Sequence, residues 1–496
     1  MNRIPLYLAV NLLFATALAI GAANTADSGV HPLYLLLLFA LCSTPLLQLR
    51  RLNDRYVLLG LFSGVYFLFY GVLDLSHLMQ GIPGPRSPGA WISEAELVIL
   101  AGAALVQLCY RLACRRRGEG GRTAGDWPEG ALVIGGGLLW LVCTWLTWQF
   151  KVYVVTDSVV ENQQRGLASI GGFKAAAYIL AGYLEPLGML ILAYAQSKYR
   201  RPYMVPVLVA VVLVQLFIGF VVDVKGEALL GFVIVVLTKV LVEGRLPRRW
   251  LIAGAIFLVL AWPVLQANRT VREQHSLNHA QVAHDFVRTL QLALETKSSV
   301  MQGPDRAATV FERLSMKGSV DMIVSRTGRD VRYQDGHTLG AILTAFIPRL
   351  IWPDKPDVQT GLLLNKEFQV DDDVNVYISP SHLGELYWNF GWSGVIAGMS
   401  LFGLLLGYVG ARFDLSQSAT LTRVMLLVLT LRLLVLGFES AIAPQYVVWI
   451  RCLVAVGLLH LLLARVPAGP QALARGGREE EAPAAPAGGM FPNLMR

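Results

Sequence analysis

Residues 203–222 read Tyr-Met-Val-Pro-Val-Leu-Val-Ala-Val-Val-Leu-Val-Gln-Leu-Phe-Ile-Gly-Phe-Val-Val, twenty residues with no charge and one amide, Gln215. At ~1.5 Å rise per residue such a run crosses the ~30 Å hydrocarbon core of a bilayer as a helix. The turn that follows, Asp223-Val224-Lys225-Gly226-Glu227, leads straight into a second apolar run, 226–243. Two apolar runs joined by a short polar turn form a helical hairpin in lipid, because only closed hydrogen bonding within each helix satisfies the backbone there.

Working outward, the same pattern repeats along the whole chain. Apolar runs occupy 4–23, 32–49, 56–78, 91–111, 130–150, 173–195, 250–266, 386–410, 422–440 and 446–464 as well. Hydrophobic residues make up 55% and charged residues 15% of the composition, which excludes an ordinary soluble domain. The runs do not alternate with a period of two, so a β-barrel is not expected. The expected fold class is all-α: a polytopic helical membrane protein of about 12 transmembrane helices with one large, partly helical periplasmic loop. Residues 1–266 would form the first nine helices, 267–385 the loop, 386–464 the last three helices and 465–496 a disordered cytoplasmic tail rich in Ala, Pro, Gly and charge. Residues 1–23 also share a basic start, an apolar core and Gly21-Ala22-Ala23 with cleavable signal peptides; either reading leaves the rest oriented alike.

Charge orients the bundle. With the N-terminus in the cytoplasm, the short inner segments carry eighteen Lys and Arg residues, among them Arg50, Arg51, Arg115, Arg116, Arg117, Arg248 and Arg249. The short outer ones carry five: Arg86, Lys151, Arg165, Lys174 and Lys225. That bias places the long polar segment outside and both termini inside. It also explains the net charge of +8 without any need for a nucleic-acid partner. The five cysteines fall in helices or at their inner ends, so the loop has no disulfide to expect. No cysteine pair, His cluster, Walker A loop or dinucleotide fingerprint occurs, and neither a metal nor a cofactor is expected.

A loop of more than a hundred residues between two spans carries function more often than not. Apolar residues recur at helical spacing over 277–300 (Val282, Phe286, Leu290, Leu294) and 304–326 (Ala308, Phe311, Leu314, Met322), predicting amphipathic helices; a short helix is expected near 358–367. Between them lies Ile347-Pro-Arg-Leu-Ile-Trp-Pro-Asp-Lys-Pro356, where Pro348, Pro353 and Pro356 fix a rigid turn that presents Arg349 and Lys355 beside Trp352. Two cations on a rigid loop suit a phosphate ligand. Arg269 and Arg272 leave the ninth span on the side where cations are disfavoured, and read either as snorkelling side chains or as anion ligands. Lys225 sits in a tight outer turn between Asp223 and Glu227, which neutralise it on the plainer reading.

His382, Glu385 and Tyr387 open the tenth span in Ser-His-Leu-Gly-Glu-Leu-Tyr-Trp-Asn-Phe-Gly. His382 and Glu385 are three apart on one helical face and could serve a sugar hydroxyl as general base; a polar helix start with Tyr387, Trp388 and Trp392 as interfacial anchors is the alternative. Glu185 and Arg432 lie near mid-span, where a charge faces a partner or a cavity, and Glu439 and Arg451 stand where they could pair.

Tyr333, Gly336 and Thr338, then Ile347-Pro348-Arg349, Trp352-Pro353 and Lys355-Pro356, followed by Gly384-Glu385-Leu386-Tyr387, Asn389 and Gly391, resemble bacterial O-antigen polymerases of the Wzy type, the oligosaccharide repeat-unit polymerases. The motif resemblance covers about 333–391, and the rest of the chain resembles the family in topology. It implies a metal-independent glycosyltransferase of the inner membrane. The growing glycan leaves undecaprenyl pyrophosphate and joins the non-reducing end of a lipid-linked repeat unit at the periplasmic face. Partners would be undecaprenyl-pyrophosphate-linked oligosaccharides and membrane lipid, with a chain-length regulator and a flippase as candidate protein partners. Arg349, Lys355, Arg269 and Arg272 would offset the leaving pyrophosphate, with Arg432, Lys225 and Arg165 behind them; Glu385 or His382 would be the base. Rival readings are an O-antigen ligase, a flippase or other transporter of lipid-linked oligosaccharides, and a structural subunit of an export complex.

Overall fold

A computed structural model describes residues 4–24, 31–49, 51–80, 92–115, 128–154, 172–300, 315–344, 347, 352, 359–372, 376–416 and 419–464. Among these the chain is all helical, without a named strand. The helices are α1 (Ile4–Asn24), α2 (Pro32–Gln48), α3 (Val57–Tyr70), α4 (Val72–Gln80), α5 (Glu94–Arg115), α6 (Glu129–Gln149), α7 (Gly172–Tyr199), α8 (Met204–Val222), α9 (Lys225–Glu243) and α10 (Arg248–His275). Smaller helices follow: α11 (His279–His284), α12 (Phe286–Val300), α13 (Lys317–Arg326), α14 (Gly340–Leu343) and α15 (Thr360–Phe368). The chain then returns to long helices with α16 (Ser381–Arg412), α17 (Leu421–Thr430) and α18 (Ile442–Ala464).

Seven helices among the described residues are long and apolar enough to cross a membrane, or eight if the α3–α4 pair, bent by 46°, is one span. Leu138, Leu141, Leu213, Leu401 and Leu458 are exposed on them, an inside-out pattern that suits lipid rather than water. The protein is therefore a membrane protein. Helix α9 carries four charged residues among nineteen, Lys225, Glu227, Lys239 and Glu243. The sequence pattern misplaces several boundaries: α10 continues to His275 as a polar extension, and the 422–440 run is α17 followed by a π turn (Leu431–Val435) and a 3-10 turn (Leu436–Glu439). The expected helix over 277–300 is broken at Asp285, where Asn278 and Gln281 have built a capping box for the six residues of α11.

Helix α5 packs along α16, α6 along α7, and α9 against both α7 and α8. The segment between α10 and α16 folds back on this bundle. Val282 of α11 and Ala293 of α12 share a core with Phe220, Val221 and Val271, while Val320, Ile323 and Val324 of α13 join the main core with Leu383 and Trp388. Helix α16 bends at Gly391, whose φ of 59° and ψ of −143° are open only to glycine. The first nine residues of α16, Ser381 to Asn389, thus leave the line of its apolar body and lie buried beside the folded segment.

Candidate functional site

The two separated parts of the sequence motif meet around Asn389. Its Nδ2 donates to Thr338 Oγ1 at 2.7 Å and to the Glu385 carbonyl at 2.8 Å, and its Oδ1 accepts from the Gly336 N–H at 2.9 Å. The Gln334 N–H donates to the Trp388 carbonyl at 3.0 Å. Gly336, at a φ of 87°, makes the turn that allows this, and the Tyr333 ring lies so close to Gly391 that a Cβ there would stand 3.3 Å from it. Tyr333, Gly336, Thr338, Glu385, Asn389 and Gly391 are therefore one structural unit.

Glu385 is fully buried within that unit. Its Oε2 accepts the Ile442 N–H at 2.6 Å, tying the first residue of α18 to α16. Its Oε1 is buried with no hydrogen-bond partner in reach among the described residues, the Thr338 hydroxyl being its polar neighbour. One oxygen is thus anchored and the other unspent, a carboxylate held in one orientation. His382 does not share these surroundings. Its ring lies 4.8 Å from that of Phe438, 5.8 Å from Tyr446 and 5.9 Å from Phe402, and its Nε2 has no hydrogen-bond partner among the described residues. Helical spacing puts the two residues on one face, but the aromatic cage separates His382 from the carboxylate's polar setting, so Glu385 is the stronger candidate base.

Tyr387 donates its hydroxyl to Glu94 Oε1 at 3.1 Å, and Trp392 donates its indole N–H to the same atom at 3.2 Å. Both aromatic donors meet on one exposed carboxylate at the start of α5. Sequence reasoning passed over Glu94. It also passed over the junction beside it. Lys317 of α13 donates to Asp74 of α4 at 2.5 Å and to Glu96 of α5 at 2.8 Å, with its Nζ 4.9 Å from the Tyr34 ring centroid. His31 Nδ1 lies 2.6 Å from Glu96 Oε2. Asp321, one turn along α13, is pushed up to about 6 by burial, with Glu96 and Asp74 adding to the rise and Lys317 opposing it. The Ser93-Glu94-Ala95-Glu96 spacing was the available signal for part of this: Ser93 and Glu96 form a capping box, through Ser93 N–H to Glu96 Oε2 at 2.8 Å and Glu96 N–H to Ser93 Oγ at 3.2 Å. The long-range partners, Asp74 and Lys317, have no local signature.

A second polar group gathers where α8 turns into α9. Arg272 pairs with Asp223 at 3.5 Å and Lys151 with Glu227 at 2.8 Å. Glu185 accepts from Thr144 at 3.0 Å and Gln215 at 2.5 Å. Arg432, in the π turn after α17, is within electrostatic reach of Glu227 and Glu185. Arg269 is exposed on α10, one turn before Arg272. Arg451 donates to the Tyr183 hydroxyl at 2.7 Å, and no Glu439–Arg451 ion pair occurs among the described residues. Trp352 is 38% exposed. Arg349, Lys355 and Arg165 lie outside the described residues, as do residues 465–496, and of Lys225 only the backbone is described, at the start of α9. Among the described residues no group of three or more His, Cys, Asp or Glu could hold a metal ion, and all five cysteines are unpaired.

No family model, curated protein or solved structure matches this chain.

Proposed function

We propose that this protein is a polysaccharide repeat-unit polymerase, which moves a glycan from undecaprenyl pyrophosphate to the non-reducing end of a lipid-linked repeat unit at the periplasmic face of the bacterial inner membrane. On this reading the chain crosses the membrane about twelve times with both termini in the cytoplasm, and the segment between α10 and α16 is the periplasmic loop. The observation that carries it is the union, around one enclosed carboxylate, of the two sequence stretches that resemble the polymerases: Tyr333 to Thr338, and Glu385 to Gly391.

The chemistry needs a base, an electrostatic sink and a dry enclosure. The acceptor hydroxyl attacks the anomeric carbon of the donor glycan, its proton passes to Glu385 Oε1, and the bond to pyrophosphate breaks with the electron pair leaving on the phosphate oxygen. Anchoring of Oε2 by the Ile442 N–H fixes the free oxygen, so no reorientation is needed during proton transfer. Since Glu385 is fully enclosed, substrate entry displaces the Thr338 side chain that neighbours it; in sequence Thr338 is followed by Arg349 and Lys355. Those two cations, with Arg269 and Arg272, offset the charge that develops on the leaving pyrophosphate.

The test is complementation of a deletion strain. Arg349→Ala, accumulating in the membrane like wild type, is expected to leave single repeat units on the surface, and Arg349→Lys to be impaired because an ammonium lacks the forked geometry. Normal chain lengths in Arg349→Ala overturn the assignment of that residue. Long polymer retained on the carrier lipid in the deletion strain itself points to the rival ligase.

A further inference from the structure

Three of the four glycines at positive φ among the described residues, Gly328, Gly336 and Gly391, lie against two aromatic side chains. A Cβ at Gly328 would stand 2.9 Å from the Tyr333 hydroxyl, and one at Gly391 3.3 Å from the same side chain. One at Gly336 would stand 3.0 Å from the Phe390 ring. Only glycine leaves both the dihedrals and the space for such close seating. Although seated on backbone, Tyr333 stays 41% exposed and Phe390 44% exposed. Neither ring pairs with another among the described residues, unlike Trp388, whose ring meets Phe368 at 5.5 Å in the core. What remains exposed of each ring is therefore held in place and open.

Glu94 adds a polar group beside them. Tyr387 and Trp392 both donate to its Oε1, at 3.1 and 3.2 Å, and its Oε2 takes no hydrogen bond among the described residues. Trp392 directly follows Gly391, so the Glu94 carboxylate and the Tyr333 ring flank one bend of α16. Two donors on one oxygen hold the carboxylate still and leave the other oxygen to accept from outside. Arg329, Asp330, Arg332 and Asp335, close to Tyr333 in the chain, are exposed like Glu94. So many exposed charges belong in water and not in hydrocarbon, so this aromatic surface is no lipid-facing belt.

Aromatic faces open to water, with one acceptor oxygen at their edge, match a pyranose ring, which carries C–H bonds on its faces and hydroxyl donors around its rim. A cationic ligand is the poorer match, since no two of these rings face each other to box an ammonium group. We propose that Tyr333, Phe390 and Trp392, with Glu94 Oε2 at the rim, form a subsite for one neutral sugar ring of a glycan. The Glu94 charge repels an acidic sugar and so makes the subsite selective. The proposal rests on the polymerase reading for the glycan being a lipid-linked repeat unit, and deepens it by setting one sugar beside the enclosed Glu385. Tyr333 and Phe390 are the exposed members of the unit whose buried members are Thr338, Glu385 and Asn389.

The test uses the full chain in lipid nanodiscs. The probe is the repeat-unit oligosaccharide released from its carrier lipid by mild acid, with tetramethylammonium as the cationic alternative. Saturation-transfer NMR and titration calorimetry should show that the oligosaccharide binds, with contact concentrated on the C–H protons of one sugar. Tyr333→Leu and Phe390→Leu keep apolar bulk over the glycines, and each is expected to weaken binding about tenfold. Tyr333→Phe keeps the ring and should keep the affinity. Glu94→Gln, whose amide oxygen still accepts from Tyr387 and Trp392, should weaken binding about fivefold through the lost charge. In a polymerisation assay the leucine variants should raise KM for the lipid-linked unit with little change in kcat, a split that general loosening of the fold would not give. Equal affinity in wild type and both leucine variants overturns the proposal, and so does a wild type that binds tetramethylammonium but no oligosaccharide. Binding through these rings by a chain that makes no polymer sinks the polymerase reading and leaves the subsite standing. Polymer made by the leucine variants at wild-type KM sinks the subsite alone.

Discussion

Lys317→Met should be among the most damaging single substitutions outside the core. Lys317 is 14% exposed and meets Asp74, 10% exposed, and Glu96, 1% exposed. Removing one partner of a buried pair costs about 3–5 kcal/mol, because the other charge stays behind unpaired. Here two carboxylates are stranded, with Asp321 close by, and the contact to the Tyr34 ring adds about 1 kcal/mol. The expected loss is about 5 kcal/mol, as large as the whole stability of a marginal domain. Equilibrium unfolding of the purified protein in mixed detergent, followed by circular dichroism, reads this loss directly. Lys317→Arg should keep most of the stability. Adding Asp74→Asn and Glu96→Gln to Lys317→Met should restore more than half, since the stranded charges are then gone. A single variant within about 1 kcal/mol of wild type, or a triple variant less stable than the single, refutes the reasoning.

Asp321→Asn should change the pH dependence of stability. With its carboxyl at about 6 in the fold against 3.8 in a free chain, the folded protein holds a proton between those values that the unfolded chain has released, so stability falls as pH rises through that window. The variant should lack that fall and gain up to ~3 kcal/mol on wild type between pH 4 and pH 7, and parallel curves for the two proteins contradict it. Gly391→Ala should cost ~2 kcal/mol through its forbidden dihedrals, and disorder the contact with Tyr333, read as quenching or shift in a Tyr333→Trp background. Asn389→Ala should free residues 333–339 to exchange amide hydrogens faster while α9 and α10 keep their protection; uniform loosening of the whole bundle would argue against a local role.

The all-helical membrane class was legible because twenty-residue apolar runs such as 203–222 leave the backbone no other way to satisfy its hydrogen bonds. The bends were not: Gly71 between α3 and α4 and Gly391 within α16 look in sequence like any other membrane glycine, and the Tyr333 ring that packs against Gly391 is nearly sixty residues away in the chain. At the candidate site, Glu385, Tyr387 and Asn389 stood out by local pattern. The pairing of Lys317 with Asp74 and Glu96 joins residues more than two hundred positions apart, which no local periodicity encodes. The surroundings of His382 were equally hidden: its spacing from Glu385 is local, but two of the three rings around it, Phe438 and Tyr446, come from the 3-10 turn and α18, more than fifty residues on, and the third, Phe402, from further along α16.

The measurement that bears most directly on the central claim is reconstitution of the purified protein with lipid-linked repeat units extracted from a deletion strain. The account predicts a ladder of lengthening carrier-linked glycans with the wild type and single units alone with Glu385→Gln, at equal folded protein. A ladder of undiminished length with Glu385→Gln, or no ladder with wild type when these units are supplied, would contradict it.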